Sequence, residues 1–182
     1  MEIANIVIAL LALIVAVIAI LVSIRQAIKS DNVALLGLRI EFYNYLCEFI
    51  RRYNMLSNFE QMKNAKNSQL VFPQGAKTPL IQIILLYLGN NNPALAFQKI
   101  TNDLNYLDIN KYLFSDEIIT QIDKIISKLN DFKLIAEECL QKKKSETELQ
   151  EVIVSLREML DNISQSLMED IKNVIATNKK NK

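Results

Sequence analysis

The sequence predicts an all-α protein in which an N-terminal transmembrane helix is followed by an antiparallel helical bundle. Three observations carry that expectation. Residues Ile3 to Ile24 form an apolar run without a single charge. Downstream of it, apolar residues recur at spacings of three and four, as on helices that bury one face. The 182-residue chain also holds only three Gly and three Pro, too few for the tight turns a β-rich fold needs.

At 1.5 Å per residue the run is about 33 Å long, enough to cross the hydrocarbon core of a bilayer. A cleaved signal peptide would open with Lys or Arg, carry a shorter apolar stretch and end in an Ala-x-Ala pattern, so the run reads as a retained anchor. Arg25, Lys29 and Arg39 follow it and no Lys or Arg precedes it. The positive-inside rule then gives a single-pass protein of the inner (cytoplasmic) membrane, N-terminus out and bundle in the cytoplasm. That orientation offers no ectodomain for an external ligand and, in a single copy, no transport path. Asn5, Ala9, Ala12, Ala16, Ala19 and Ser23 alternate by four and three, a candidate stripe for helix association in lipid; the same register also arises where Ala is simply common in an anchor.

Ser30 or Asp31 caps a new helix or marks a bend. Val33, Leu35, Leu36, Leu38, Phe42, Leu46, Phe49, Ile50, Tyr53 and Leu56 then predict one long amphipathic helix to about Asn64. Its solvated face carries Arg39, Glu41, Asn44, Glu48, Arg51 and Arg52. Asn64 to Lys77 reads as a loop. Thr78 and Pro79 have the residue types of a helix start, and Leu80 to Leu88, apolar nearly all round, fits a short buried helix. Asn92 and Pro93 repeat the start signature for a helix through Leu95, Phe97, Ile100 and Leu104 to about Tyr106, with Leu107 to Phe114 as a connector.

Ser115, Asp116 and Glu117 open the next helix with a capping side chain and acids at the positive end of the dipole. Ile118, Ile122, Ile125, Leu129, Phe132, Ala136 and Cys139 form its stripe, and Lys142 to Lys144 mark its end. Ser145 and Glu148 make a capping box for a last helix along Leu149, Ile153, Leu156, Leu160, Ile163 and Leu167. Ile119, Ile126, Leu140, Val152 and Met159 widen both stripes, and Asp170 breaks the seam. A bundle core within one chain therefore suits these helices better than a two-stranded coiled coil.

The run Ala34-Leu35-Leu36-Gly37-Leu38-Arg39-Ile40-Glu41-Phe42-Tyr43 resembles a segment reading roughly Ala-Leu-Phe-x-x-Arg-x-Glu-x-Tyr that follows the span in a loose group of uncharacterised bacterial membrane proteins. Leu36 and the Gly37-Leu38 pair depart from the aromatic and charged residues found there. The resemblance covers the anchor and the start of the following helix. That group has no assigned activity, so it implies topology alone.

The chain contains no histidine, which excludes Ser-His-Asp, Cys-His and His-metal chemistry and a diiron bundle of the Glu-x-x-His type. Cys47 and Cys139 are far apart among apolar neighbours and read as small buried hydrophobes. No Gly-rich phosphate loop or acidic ligand cluster appears. The pairs Asp116-Glu117 and Glu137-Glu138 diverge by about 100° on a helix and do not converge on one site. With a formal net charge of +1, the surface offers no basic patch for nucleic acid.

The chain thus divides into an anchor and juxtamembrane segment (1–29), a cytoplasmic bundle (30–177) and a basic disordered tail (178–182). Arg25, Lys29, Lys179, Lys180 and Lys182 are candidate lipid-headgroup contacts. The function expected is that of a non-enzymatic, membrane-tethered interaction or scaffold protein, with no catalytic residue, cofactor, metal or evident small-molecule substrate. Its partners are membrane lipid and a protein or a second copy. The alternative is a small membrane effector, of phage-exclusion or stress-response type, that acts by oligomerisation of its span.

Overall fold

The computed structural model describes residues 2–56, 58, 80–89 and 92–180; the side chains of residues 2–15, 83, 86, 93 and 178–180 lie outside that description. Five α-helices make up the described chain: α1 (Glu2–Asn54), α2 (Leu80–Gly89), α3 (Pro93–Asn110), α4 (Asp116–Leu140) and α5 (Glu146–Lys180). A 3-10 turn, Lys111–Leu113, joins α3 to α4, and no strand occurs among the described residues. The expected loop at Asn64 to Lys77 and the start signature at Thr78 and Pro79 lie outside the described residues.

α1 passes through Ser30 and Asp31 without a cap or a bend. Both residues are exposed, and polar residues at exposed helix positions cost only a few tenths of a kcal/mol. The apolar N-terminal run and the first bundle helix are therefore one rod. Its bundle-facing side is Leu36, Phe42, Leu46, Phe49, Tyr53 and Leu56, all buried. Val33 and Leu38, expected in the core, are 45% and 48% exposed: Val33 precedes the bundled part of α1, and Leu38 lies about 200° around the helix from Leu36.

Side-chain pairings give the helix directions. Phe42 meets Phe114 and Tyr53 meets Phe132, so α1 and α4 run the same way. Phe42 meets Tyr106 while Arg52 reaches Asp103, so α3 runs opposite to α1. Lys172 sits over Tyr43 and Asn54 donates to Asp161, so α5 also runs opposite. The chain goes out, back, out and back, an antiparallel bundle of α1, α3, α4 and α5. The N-terminus of α2 meets the α4–α5 end, where Leu80 N–H donates to Glu146 Oε1 at 2.7 Å.

The α4–α5 hairpin follows its sequence closely. All seven expected α4 residues, Ile118 through Cys139, are buried. On α5, Leu149, Ile153, Leu156, Leu160 and Leu167 are buried and Ile163 is half-buried, while Ile171 resumes the seam after Asp170. Asp170 itself accepts from Gln121 Nε2 at 3.2 Å. The capping box forms as expected: Ser145 N–H donates to Glu148 Oε2 at 2.9 Å and Glu148 N–H to Ser145 Oγ at 3.3 Å. Lys144 and the Ser145 amide hold the Glu148 carboxyl down at about 2. Lys142 closes α4 in the left-handed region at φ 59°, with Lys143 N–H returning to Glu138 O.

Three local expectations are corrected. α3 continues through Asn110 rather than ending at Tyr106, because Leu107 is fully buried and keeps the helix packed. Within α3, Ala96 is buried and Leu95 is 49% exposed. A small residue is needed there, since a Cβ on Gly89 would stand 2.7 Å from the Ala96 nitrogen where α2 crosses α3. Ser115 occupies the N-cap of α4, but its side chain makes no capping bond. Asn92 does cap α3, accepting from Ala94 N–H at 3.0 Å.

The two glycines among the described residues, Gly37 and Gly89, have opposite consequences. A Cβ at Gly37 would meet nothing within 4 Å, so Gly37→Ala should gain roughly 1 kcal/mol of helix propensity and raise the melting temperature by about 2–4 °C. Gly89→Ala should destabilise by about 1–3 kcal/mol by forcing α2 from α3. Thermal denaturation followed by circular dichroism reads both.

Candidate functional site

Two features stand apart from ordinary core packing, one at each end of the bundled part of α1. The first is the stretch of α1 that precedes the bundle. Val17, Ile18, Ile20, Leu21, Val22, Ile24 and Ile28 are about half exposed or more. Consecutive helical residues are rotated by about 100°, so these side chains point in every direction around the rod. Among the described residues no other helix packs on them: from Ile24 to Leu36, roughly 12 residues or about 18 Å, α1 has no described neighbour. Of the expected association stripe, Ala16, Ala19 and Ser23 are exposed; Asn5, Ala9 and Ala12 lie on helical backbone with side chains outside the described residues.

Arg25 and Lys29 are exposed on the same stretch. The antiparallel course of α5 brings its C-terminal end back toward the start of the bundle. Lys172 lies beside Tyr43, and the helix reaches Lys180, three residues into the segment expected as a tail. Extending the α1–α5 pairing by two turns puts that end level with Leu36, about 18 Å along α1 from Ile24. Arg25 and Lys29 are thus not brought to the same height as the end of α5. The Lys179 and Lys180 side chains and all of Lys182 lie outside the described residues.

The second feature is a polar network between α1 and α3 that sequence reading did not find. Asp103 is 4% exposed, and it is the buried charged residue of the described core. Tyr45 Oη donates to its Oδ1 at 2.6 Å and Tyr53 Oη to its Oδ2 at 2.9 Å. Arg52 Nη1 donates to both oxygens, at 3.1 and 2.9 Å. A carboxylate removed from water without such partners costs several kcal/mol, and here every donor comes from one face of α1. Tyr45 and Tyr53 are held well above the ordinary phenol range, first by burial and then by the charge and hydrogen bond of Asp103.

The signal for this site was present but unread. Asp103 occupies a position on the apolar face of α3, between Ile100 and Leu107, and a carboxylate at such a position needs partners. Tyr45, Arg52 and Tyr53 are spaced by seven and eight residues, two turns of one helix face. Two residues assigned to a solvated face are corrected here. Arg52 is mostly buried against Asp103. Arg39 donates from Nε to Leu113 O at 2.8 Å and lies over the Phe114 ring, which ties α1 to the α3–α4 turn.

The cysteines also divide. Cys139 is buried, with its thiol pushed up in pKa by burial. Cys47 is exposed in an open groove beside Ile50 of α1 and Met168 and Lys172 of α5, because it lies one residue, about 100°, past the core residue Leu46. Among the described residues no group of three or more Cys, Asp and Glu side chains gathers as metal ligands. No family model, curated protein or solved structure matches this chain.

Breaking the network should cost far more than its exposure suggests. Asp103→Ala removes the partner of the half-buried Arg52 guanidinium and of the Tyr45 and Tyr53 hydroxyls and should destabilise by about 2–4 kcal/mol in urea unfolding. Raised phenol pKa values contribute stability that is complete below the unfolded value of 10.0 and is lost as pH rises above it. Unfolding free energy should therefore fall above that pH, and Tyr45→Phe should make the fall shallower.

Proposed function

We propose that this chain is a membrane-tethered helical interaction protein. The N-terminal part of α1 is its single-pass anchor, and the bundle stands on the cytoplasmic side and binds another protein. The observation that carries this reading is the all-round exposure of Val17, Ile18, Ile20, Leu21, Val22 and Ile24. A helix that is apolar on every face needs apolar surroundings, and contiguous apolar surface of this extent marks a membrane or protein contact. Among the described residues no single helix is long and apolar enough to cross a membrane. The anchor as proposed includes residues 3–15, whose sequence is uncharged and whose side chains lie outside the described set.

α2 and α3 together also have the length and composition of a span, but are bent by 67°. Leu80, Ile81, Ile84, Leu85, Leu88 and Ile100 are already buried in the bundle, so their apolar character is accounted for. Arg25 and Lys29, directly after the apolar run, support the cytoplasmic placement. The single rod also bears on mechanism. With no break between anchor and bundle, tilt or rotation of the span is transmitted directly to the face of α1 that holds α3 and α5.

The alternative, an effector acting by oligomerisation of the span, draws on Ala16, Ala19 and Ser23, which are exposed and uncovered by the rest of the chain. Native electrophoresis with crosslinking separates the two. Oligomers formed by the full chain and lost when it begins at Ser30 favour the effector; monomers in both cases favour the tethered interaction protein.

The anchor reading makes its own prediction. In bacterial membranes the full chain should resist alkaline carbonate extraction. Val17→Arg combined with Ile18→Arg should release it, since each charge costs up to about 2.5–3.5 kcal/mol in a span. In the same cells a membrane-impermeant maleimide should label Cys47 only after lysis, and Cys139 slowly even then. Extraction of the unaltered chain, or labelling of Cys47 in intact spheroplasts, would refute the anchor or its orientation respectively.

A further inference from the structure

We propose that the cleft enclosed by α1, α2 and α3 binds a phosphate group, with Arg51, Arg52 and Lys99 as its cationic wall. The cleft measures about 280 Å³ and is lined by Glu48, Arg51, Arg52, Met55, Tyr87 and Lys99. It is the solvent-facing continuation of the Asp103 network, and Arg52 belongs to both.

Arg52 is the reason to assign an anion here. Its pairing with Asp103 uses Nη1 for both hydrogen bonds. Nε and Nη2, the edge of the guanidinium suited to two-point recognition of an oxyanion, have no partner among the described residues. The side chain is 19% exposed, so this edge is oriented by a buried carboxylate and loses little freedom when a ligand arrives. Arg51 and Lys99 line the same space, and neither is in an ion pair among the described residues. Among the described residues only Asp103 and Glu48 stand against these three cations, a balance of one positive charge.

A phosphate suits this wall better than a carboxylate, since it offers more acceptor oxygens and up to two negative charges to the three cations that line the cleft. Two sources share that chemistry, inorganic phosphate and a phosphate monoester. Tyr87 and Met55, whose side chains touch through Oη and Sδ at 3.4 Å, provide an apolar rim for the organic part of an ester. Headgroups of the chain's own membrane are not a source, because Arg51 lies roughly 40 Å along α1 from Ile24. The assignment therefore stands or falls separately from the membrane reading.

The test is isothermal titration of the full chain in detergent with inorganic phosphate and with phenyl phosphate at low ionic strength. One saturable site per chain is expected. Arg51→Gln and Lys99→Gln should each weaken it by roughly tenfold, the loss of one charge-assisted hydrogen bond. Glu48→Gln should strengthen it, and Lys128→Gln, on the exposed face of α4, should leave it unchanged. Tighter binding of phenyl phosphate identifies the monoester as the source, and equal binding identifies the inorganic anion. The proposal is overturned if neither titrant gives a saturable site. It is overturned equally if Arg51→Gln and Lys99→Gln chains, folded by circular dichroism, bind as well as the unaltered protein.

Discussion

The carboxylate of Asp103 constrains more of this structure than any other group. A buried charge without partners would be expelled, and among the described residues its donors are all on α1, where Tyr45, Arg52 and Tyr53 present two hydroxyls and a guanidinium. Satisfying all of them fixes the height and rotation of α3 against α1 to within a hydrogen bond's tolerance. Apolar contacts between ridged helices would tolerate a slip of one turn; this network would not. Such a pair contributes less to net stability than to the choice of one packing over its neighbours.

Around that lock the rest of the bundle is conventional hydrophobic packing. The α4–α5 hairpin carries matching wide stripes and its own turn, with a capping box on one side and a left-handed closing residue on the other. It packs α5 along α1 and α4 across the ring. α2 closes the far end by a contact that tolerates only Gly89 against Ala96. The aromatic ladder of Phe42, Phe49 and Tyr53 on α1, reaching Phe114 and Phe132, joins the hairpin to the same helix that holds Asp103.

α1 is one unbroken helix with two unlike stretches. From Leu36 onward it packs its apolar face on the bundle; the mostly apolar residues from Val17 to Ile24 are exposed, and no described helix packs on them. Passing from one stretch to the other requires no hinge, because a helix satisfies its own backbone wherever it lies. The phosphate-binding cleft proposed at the other end of α1 would place a ligand site on the same helix, about 40 Å from Ile24.

The sequence by itself determined the helical class, the α4–α5 hairpin and the start of α3. Each rests on local signals: a three-and-four rhythm, a capping box, an Asn-Pro start. It was silent or misleading wherever a residue's partner lay far along the chain. Arg39 and Arg52 looked solvated because their own helix gives no sign of Leu113 or Asp103, and Cys47 looked buried because its neighbours are apolar while its direction is not. The unbroken course of α1 through Ser30 and Asp31 likewise escaped a reading based on capping residues, since these types start helices but do not have to. Only the tertiary structure decided which polar groups were removed from water, because burial depends on what packs opposite, and the periodicity of a single helix carries no record of its neighbour.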